Sequence, residues 1–228
     1  MAAVGLWLGG AVGAVADDIA AARYLEPTGR YDHGVLGDAL EWGALEIVLE
    51  GGAAFRATLP EDMVFEDLAP RLWDVDGDGT PEVVVVETAL DRGARLAVWD
   101  ETGRLAVTDH IGRRNRWLAP LGATDLDGDG RVEIAYVDRP HLLKVLRIVR
   151  MEGDRLVEVA ERGGITNHRL GEDVIHGGVR TCDSRPALIA ADADWSRVVE
   201  LRFDGAAISA HAGRPWSPEA AEEALACR

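Results

Sequence analysis

Three observations predict an all-β repeat fold for this chain. Hairpin signals recur every 50 to 52 residues, two acidic loops of the same pattern lie 51 residues apart, and each loop runs into β-branched or aromatic residues. The period is that of propeller blades and the strand segments are short. The expected architecture is therefore a small β-propeller of four four-stranded blades, with a fifth blade as the open alternative, and one short C-terminal helix.

The hairpins come first in this argument. Glu50-Gly51-Gly52 separates Leu45–Leu49 from Ala53–Leu59, and Asp100-Glu101-Thr102-Gly103 separates Arg95–Trp99 from Arg104–Thr108. Glu152-Gly153-Asp154 separates Val145–Arg150 from Arg155–Ala160, and Asp204-Gly205 separates Val198–Phe203 from Ala206–Ala210. Leu68-Ala69-Pro70 recurs as Leu118-Ala119-Pro120, which places one further strand per unit on the same beat. A fifth blade would need residues 20–42 to pair with the C-terminal stretch in a sheet of their own. In either case the N-terminal segment is expected to close the ring by lending a strand to the last blade, which protects the sheet edges.

The loops carry the chemistry. The first places Asp74, Asp76, Asp78 and Glu82 at positions 1, 3, 5 and 9, and the second places Asp125, Asp127, Asp129 and Glu133 there. Glycine stands at position 6 of each, and Thr80 or Arg131 at position 7 offers a backbone carbonyl. A hard cation such as Ca²⁺ takes six to eight oxygens at such a glycine turn, whereas Mg²⁺ keeps most of its waters. An Asp- and Gly-rich surface turn explains one loop; it does not explain the same four acidic positions twice. An EF-hand would require Glu at position 12 followed by a helix. Here position 12 is Val85 or Tyr136, inside the runs Val83–Val86 and Ile134–Val137, so each loop enters a strand.

A D-x-D-x-D-G-x-x-E loop entering an apolar strand resembles the FG-GAP/VCBS repeats of integrin-α-like β-propellers. The resemblance implies two Ca²⁺ sites that stabilise blades, and a binding or scaffold role with an unidentified protein or glycan partner. Dockerin-like adhesion modules also pair calcium loops, but theirs precede helices and lie closer together. The outer units have lost the metal pattern: residues 176–184 and 32–38 lack the ligand spacing.

The chain has 228 residues, 47% of them apolar, enough for one sizeable domain over residues 17–228. Its net charge of −16 disfavours nucleic acid and anionic membranes. Gly5 to Val15 is an apolar run followed by an A-x-A pattern ending at Ala16, read as a secretory signal peptide over residues 1–16, although no Lys or Arg precedes it. The run is too short to span a bilayer. Cys182 and Cys227 make an even count and are expected to form a disulfide in a periplasmic or extracellular monomer. Ser217-Pro218-Glu219 opens the C-terminal helix with an N-cap, a proline at N1 and an acid in the first turn.

Polar residues recur where the next blade's inner strand begins. His33, Glu66, Asn115, Arg116, Asn167, His168 and Arg169 are expected to ring the mouth of a central channel and to offer a site for an acidic or polyhydroxylated ligand. Solvated loop ends are the plainer explanation of the same residues. No nucleophile, P-loop or dinucleotide motif accompanies them. The expected function is thus an exported calcium-binding scaffold, not an enzyme; the alternative is a periplasmic glycan hydrolase or lyase working at the channel mouth.

Overall fold

The computed structural model describes residues 18–37, 40–182 and 185–228. Residues 1–16, expected to be a signal peptide, lie outside them. The described chain is all-β apart from one short helix. Its strands are β1 (Ile19–Thr28), β2 (Glu41–Leu49), β3 (Ala54–Thr58), β4 (Met63–Phe65), β5 (Arg71–Trp73), β6 (Glu82–Ala89), β7 (Gly93–Asp100), β8 (Gly103–Val107) and β9 (Leu118–Thr124). They continue as β10 (Glu133–Asp138), β11 (Val145–Glu152), β12 (Arg155–Gly163), β13 (Ile165–Thr166), β14 (Gly178–Arg180), β15 (Ala187–Asp192), β16 (Arg197–Phe203) and β17 (Ile208–Pro215). The helix α1 spans Pro218–Leu225.

Antiparallel neighbours in sequence pair as meanders: β1-β2-β3, β5-β6-β7-β8, β9-β10-β11-β12 and β14-β15-β16-β17. All four expected hairpins are present. The short β4 pairs with both β2 and β6, and a single parallel pair, Arg155 with Val107, joins β12 to β8. These links merge the first three meanders into one curled sheet, with the fourth in a second sheet that also holds β13. The arrangement is propeller-like.

Packing follows from strands buried on both faces. In β6, Val84 and Val86 enter one apolar core while Val83 and Val85 enter another. In β10, Ile134 and Tyr136 share the first of those cores, and Ala135 and Val137 enter a third. A period of two divides the side chains of each central strand between two cores, so each meander is clamped between its neighbours. The last strands of the second, third and fourth meanders, β8, β12 and β17, are more exposed than the central strands β6 and β10.

The ends of the array differ from expectation. The N-terminal strand β1 pairs with β2 inside its own unit and lends nothing to the last one. Residues 20–42 therefore form no separate fifth sheet among the described residues. The outward face of the fourth meander is covered by α1, whose Ala220 and Ala221 pack with Ile189 and Val198. Ser217 caps that helix by accepting from the Ala220 N–H at 3.0 Å. The first and last units meet at a loop contact, where the Gly171 N–H donates to the Val35 carbonyl at 3.0 Å.

Cys182 and Cys227 form the expected disulfide. It sits in the connection between β14 and β15, the place that the acidic loops occupy between β5 and β6 and between β9 and β10. Where the fourth unit lost its metal pattern, a covalent staple to the end of α1 holds the same connection.

Candidate metal centres

The two acidic loops repeat bond for bond. Asp74 accepts from the N–H groups of Gly77 (2.7 Å) and Gly79 (3.1 Å); Asp125 does the same for Gly128 (2.7 Å) and Gly130 (2.9 Å). Asp76 and Asp127 each accept from the residue two ahead, as do Asp78 and Asp129. Glu82 accepts from the Val75 N–H and Glu133 from the Leu126 N–H, both at 2.8 Å. Gly77 and Gly128 both have φ of +82°, a left-handed turn that other L-residues resist. Local Asx-type bonds thus fold each loop, and Glu at position 9, the first residue of the following strand, ties that strand back to the N–H of loop position 2. Both loops enter strands, β6 and β10, as expected.

Carboxylate oxygens converge in each loop. Asp74, Asp76 and Asp78 bring one oxygen each within 4.8 Å of one another, and so do Asp125, Asp127 and Glu133. Glu82 stays outside the first trio and Asp129 outside the second. The side chains at position 7 do other things: the Thr80 hydroxyl donates to Asp78, and Arg131 reaches Glu152 at 3.6 Å. Burial, together with the charges of Asp76, Asp78 and Asp74, pushes the Glu82 carboxyl up to about 7. Burial also raises Glu133, which Arg150 opposes. An oxygen-only donor set of this kind fits a hard cation.

The loops sit at joints between units. A Cβ on Gly77 would touch Val132 of the second loop at 3.9 Å. One on Gly205, in the β16–β17 turn, would meet Asp127 Oδ2 at 2.9 Å. A 530 Å³ cavity beside the first loop is lined by Asp76, Asp78 and Glu82 together with Asp100 and Glu101 from the β7–β8 turn.

The residues expected at a channel mouth lie at the opposite end of the strands and bond to other groups of the protein. His33 Nδ1 is 2.5 Å from Glu66 Oε1, and the Thr88 hydroxyl donates to Glu66 Oε2 at 2.6 Å. The Asn115 N–H donates to the Tyr31 hydroxyl at 2.8 Å, and Arg116 donates to the Asn115 carbonyl at 2.6 Å. Asn167 donates to the Ala119 carbonyl at 3.2 Å. His168 donates from Nε2 to the Glu172 carbonyl, which leaves its Nδ1 to accept from His141 Nε2 at 2.9 Å. Arg169 departs from the ring: its guanidinium lies 4.4 Å over Trp195 of the last unit.

At the centre of this cluster is Trp117, 2% exposed. Its Nε1 donates to the Glu66 carbonyl at 2.7 Å and its ring meets His168 edge-on at 4.9 Å. Glu66, Asn167 and His168 are fully buried. Burial and the neighbouring His168 push His141 down to about 4, and burial raises Glu66. The cavity left beside His33, Arg116 and His141 is about 20 Å³. Tyr31 and His141 also belong to this cluster; the first was legible beside His33, whereas nothing in the repeat pattern marked the second.

Comparison with known proteins bears on the loops. Residues 74–136, which hold both of them, match the family model of the FG-GAP-like repeat. None of the curated proteins matches the chain.

Proposed function

We propose that this chain, an FG-GAP-type repeat protein across its two loop-bearing units, is an exported, calcium-stabilised β-propeller of four blades that serves as a binding or scaffold module. The observation that carries this is the loop-for-loop repetition of an oxygen-only cradle, each feeding a strand buried on both faces. Asp74, Asp76, Asp78 and Glu82 would hold the first ion, with the Thr80 carbonyl. Asp125, Asp127, Asp129 and Glu133 form the corresponding second set, with the Arg131 carbonyl. The ion supplies charge neutralisation at a joint between units, so its binding energy becomes folding energy. The four meanders are the four blades, the first lacking one strand among the described residues.

Export is supported by the disulfide, since such bonds persist in oxidising compartments. No helix of the described residues is long and apolar enough to cross a membrane. A non-catalytic role is supported at the polar cluster by the internal pairing of its side chains. The 20 Å³ space there is far below the roughly 300–1,000 Å³ of small-molecule sites. The module acts as a monomer on a protein or glycan partner. Mass spectrometry under non-denaturing conditions tests the metal reading: bound calcium that a chelator strips supports it, and a mass that calcium leaves unchanged refutes it.

A further inference from the structure

The two cradles share a fold but not an electrostatic setting. Arg150, near the end of β11, is the register partner of Glu133 on β10. Its Nη2 lies 2.7 Å from Asp127 Oδ2 and 3.0 Å from Asp129 Oδ2, and its Nε bonds Glu133. The side chains of Arg150, Asp127 and Glu133 are withdrawn from solvent, at 11%, 6% and 0% exposed, whereas Asp129 is 42% exposed. One guanidinium thus engages three of the four carboxylates of the second loop. In the first loop the corresponding residue is acidic. One step beyond the Val83–Trp99 pair, Asp100 stands across from Glu82, and both line the same cavity. Among the described residues no basic side chain pairs with Asp74, Asp76, Asp78 or Glu82.

We propose that the cradles are not equivalent: the first takes the divalent cation, and in the second the Arg150 guanidinium stands in the cation's place and keeps it out. This rests on the calcium reading above. The guanidinium brings one positive charge among these carboxylates and hydrogen-bonds Asp127 and Glu133 on oxygens that a cation would need. A second cation would have to expel a planar donor that makes charge-assisted hydrogen bonds to Asp127 and Glu133 and an ion pair with Asp129. The second unit would therefore be a metal-independent version of the first, with the cross-link built into the chain.

Calcium titration of the full chain by calorimetry, with thermal unfolding alongside, tests this. The wild type should bind one ion tightly, Asp76→Ala should abolish that binding, and Asp127→Ala should leave it intact. Arg150→Met should gain a second ion, with affinity at the second loop rising by about tenfold or more, on the order of one charge-assisted bond or above. Its lowered melting temperature should be restored by calcium. Asp100→Arg, the reverse transplant, should weaken the first site by a similar factor while the protein stays folded. Two ions of equal affinity in the wild type would overturn the proposal, as would an Arg150→Met protein that still binds one. If neither the wild type nor Arg150→Met binds calcium, the calcium reading fails and the proposal falls with it. Two equal sites in the wild type sink the asymmetry alone.

Discussion

Replacing Trp117 probes how the units are held together. The ring is 2% exposed and packs with residues of the second and third meanders, and its N–H holds the carbonyl of Glu66 ahead of the second. Truncation to Ala removes a buried aromatic, which costs about 3–5 kcal/mol. It also strips a donor from a buried carbonyl, for about 1–3 kcal/mol more. Set against a total stability of roughly 5–15 kcal/mol, Trp117→Ala should leave the protein near its unfolding threshold. Trp117→Phe keeps most of the ring and loses the N–H, so it isolates the hydrogen bond at about 1–3 kcal/mol. Equilibrium urea unfolding, followed by far-ultraviolet circular dichroism, reads both from the midpoints. An Ala variant within about 1 kcal/mol of the wild type would show that the cluster is not what joins the units.

Three further outcomes follow from named contacts. Replacing Cys182 and Cys227 by Ser removes a cross-link over a separation of 45 residues, and should cost up to about 4 kcal/mol, measured by urea unfolding against the oxidised wild type. Gly177→Ala should lose at least about 2 kcal/mol, because a Cβ would lie 2.0 Å from the Ile189 carbonyl oxygen at a φ of +89°. Gly79→Ala, with open space around it, should lose nearer 1 kcal/mol. His141 titrates near 4 when folded and near 6.5 when unfolded, so the unfolded chain binds the extra proton first. Its contribution is present above pH 6.5 and is lost as pH falls towards 4, by about 1–2 kcal/mol after solvent screening. The buried Glu66 carboxyl, raised by burial, works the other way. The difference between wild type and His141→Gln across pH 7 to 5 isolates the imidazole.

Periodic features of the fold could be read from the sequence, because hairpin turns and alternating burial are local. Gly52, Gly103, Gly153 and Gly205 all mark turns between paired strands, and Val83–Val86 declared a strand buried on both faces. Ligand order in the loops was equally local, since Asx bonds span two to five residues. Long-range placement was less visible. Nothing in residues 19–28 says that they pair with β2 instead of closing a ring, and nothing in residues 218–225 says that they pack on Ile189 and Val198. Arg150 lies 17 residues beyond Glu133 and joins it only through strand register. An alignment at the repeat offset would have found it opposite Asp100, but the repeat drew attention to what the loops share. Likewise the polar residues at the strand starts showed their common position, not that they would spend their bonds on neighbouring protein groups.

The central claim is that a cation binds the first loop and that this binding holds the blades. Thermal unfolding of the wild type with chelator and then with excess calcium tests it most directly. At a free calcium concentration a hundred times the dissociation constant, the folded state gains about 2.7 kcal/mol. For a domain of this size that is on the order of 5–10 °C in melting temperature. Such a rise, absent in Asp76→Ala, is the expected result; a melting temperature that is the same in calcium and in chelator contradicts the claim.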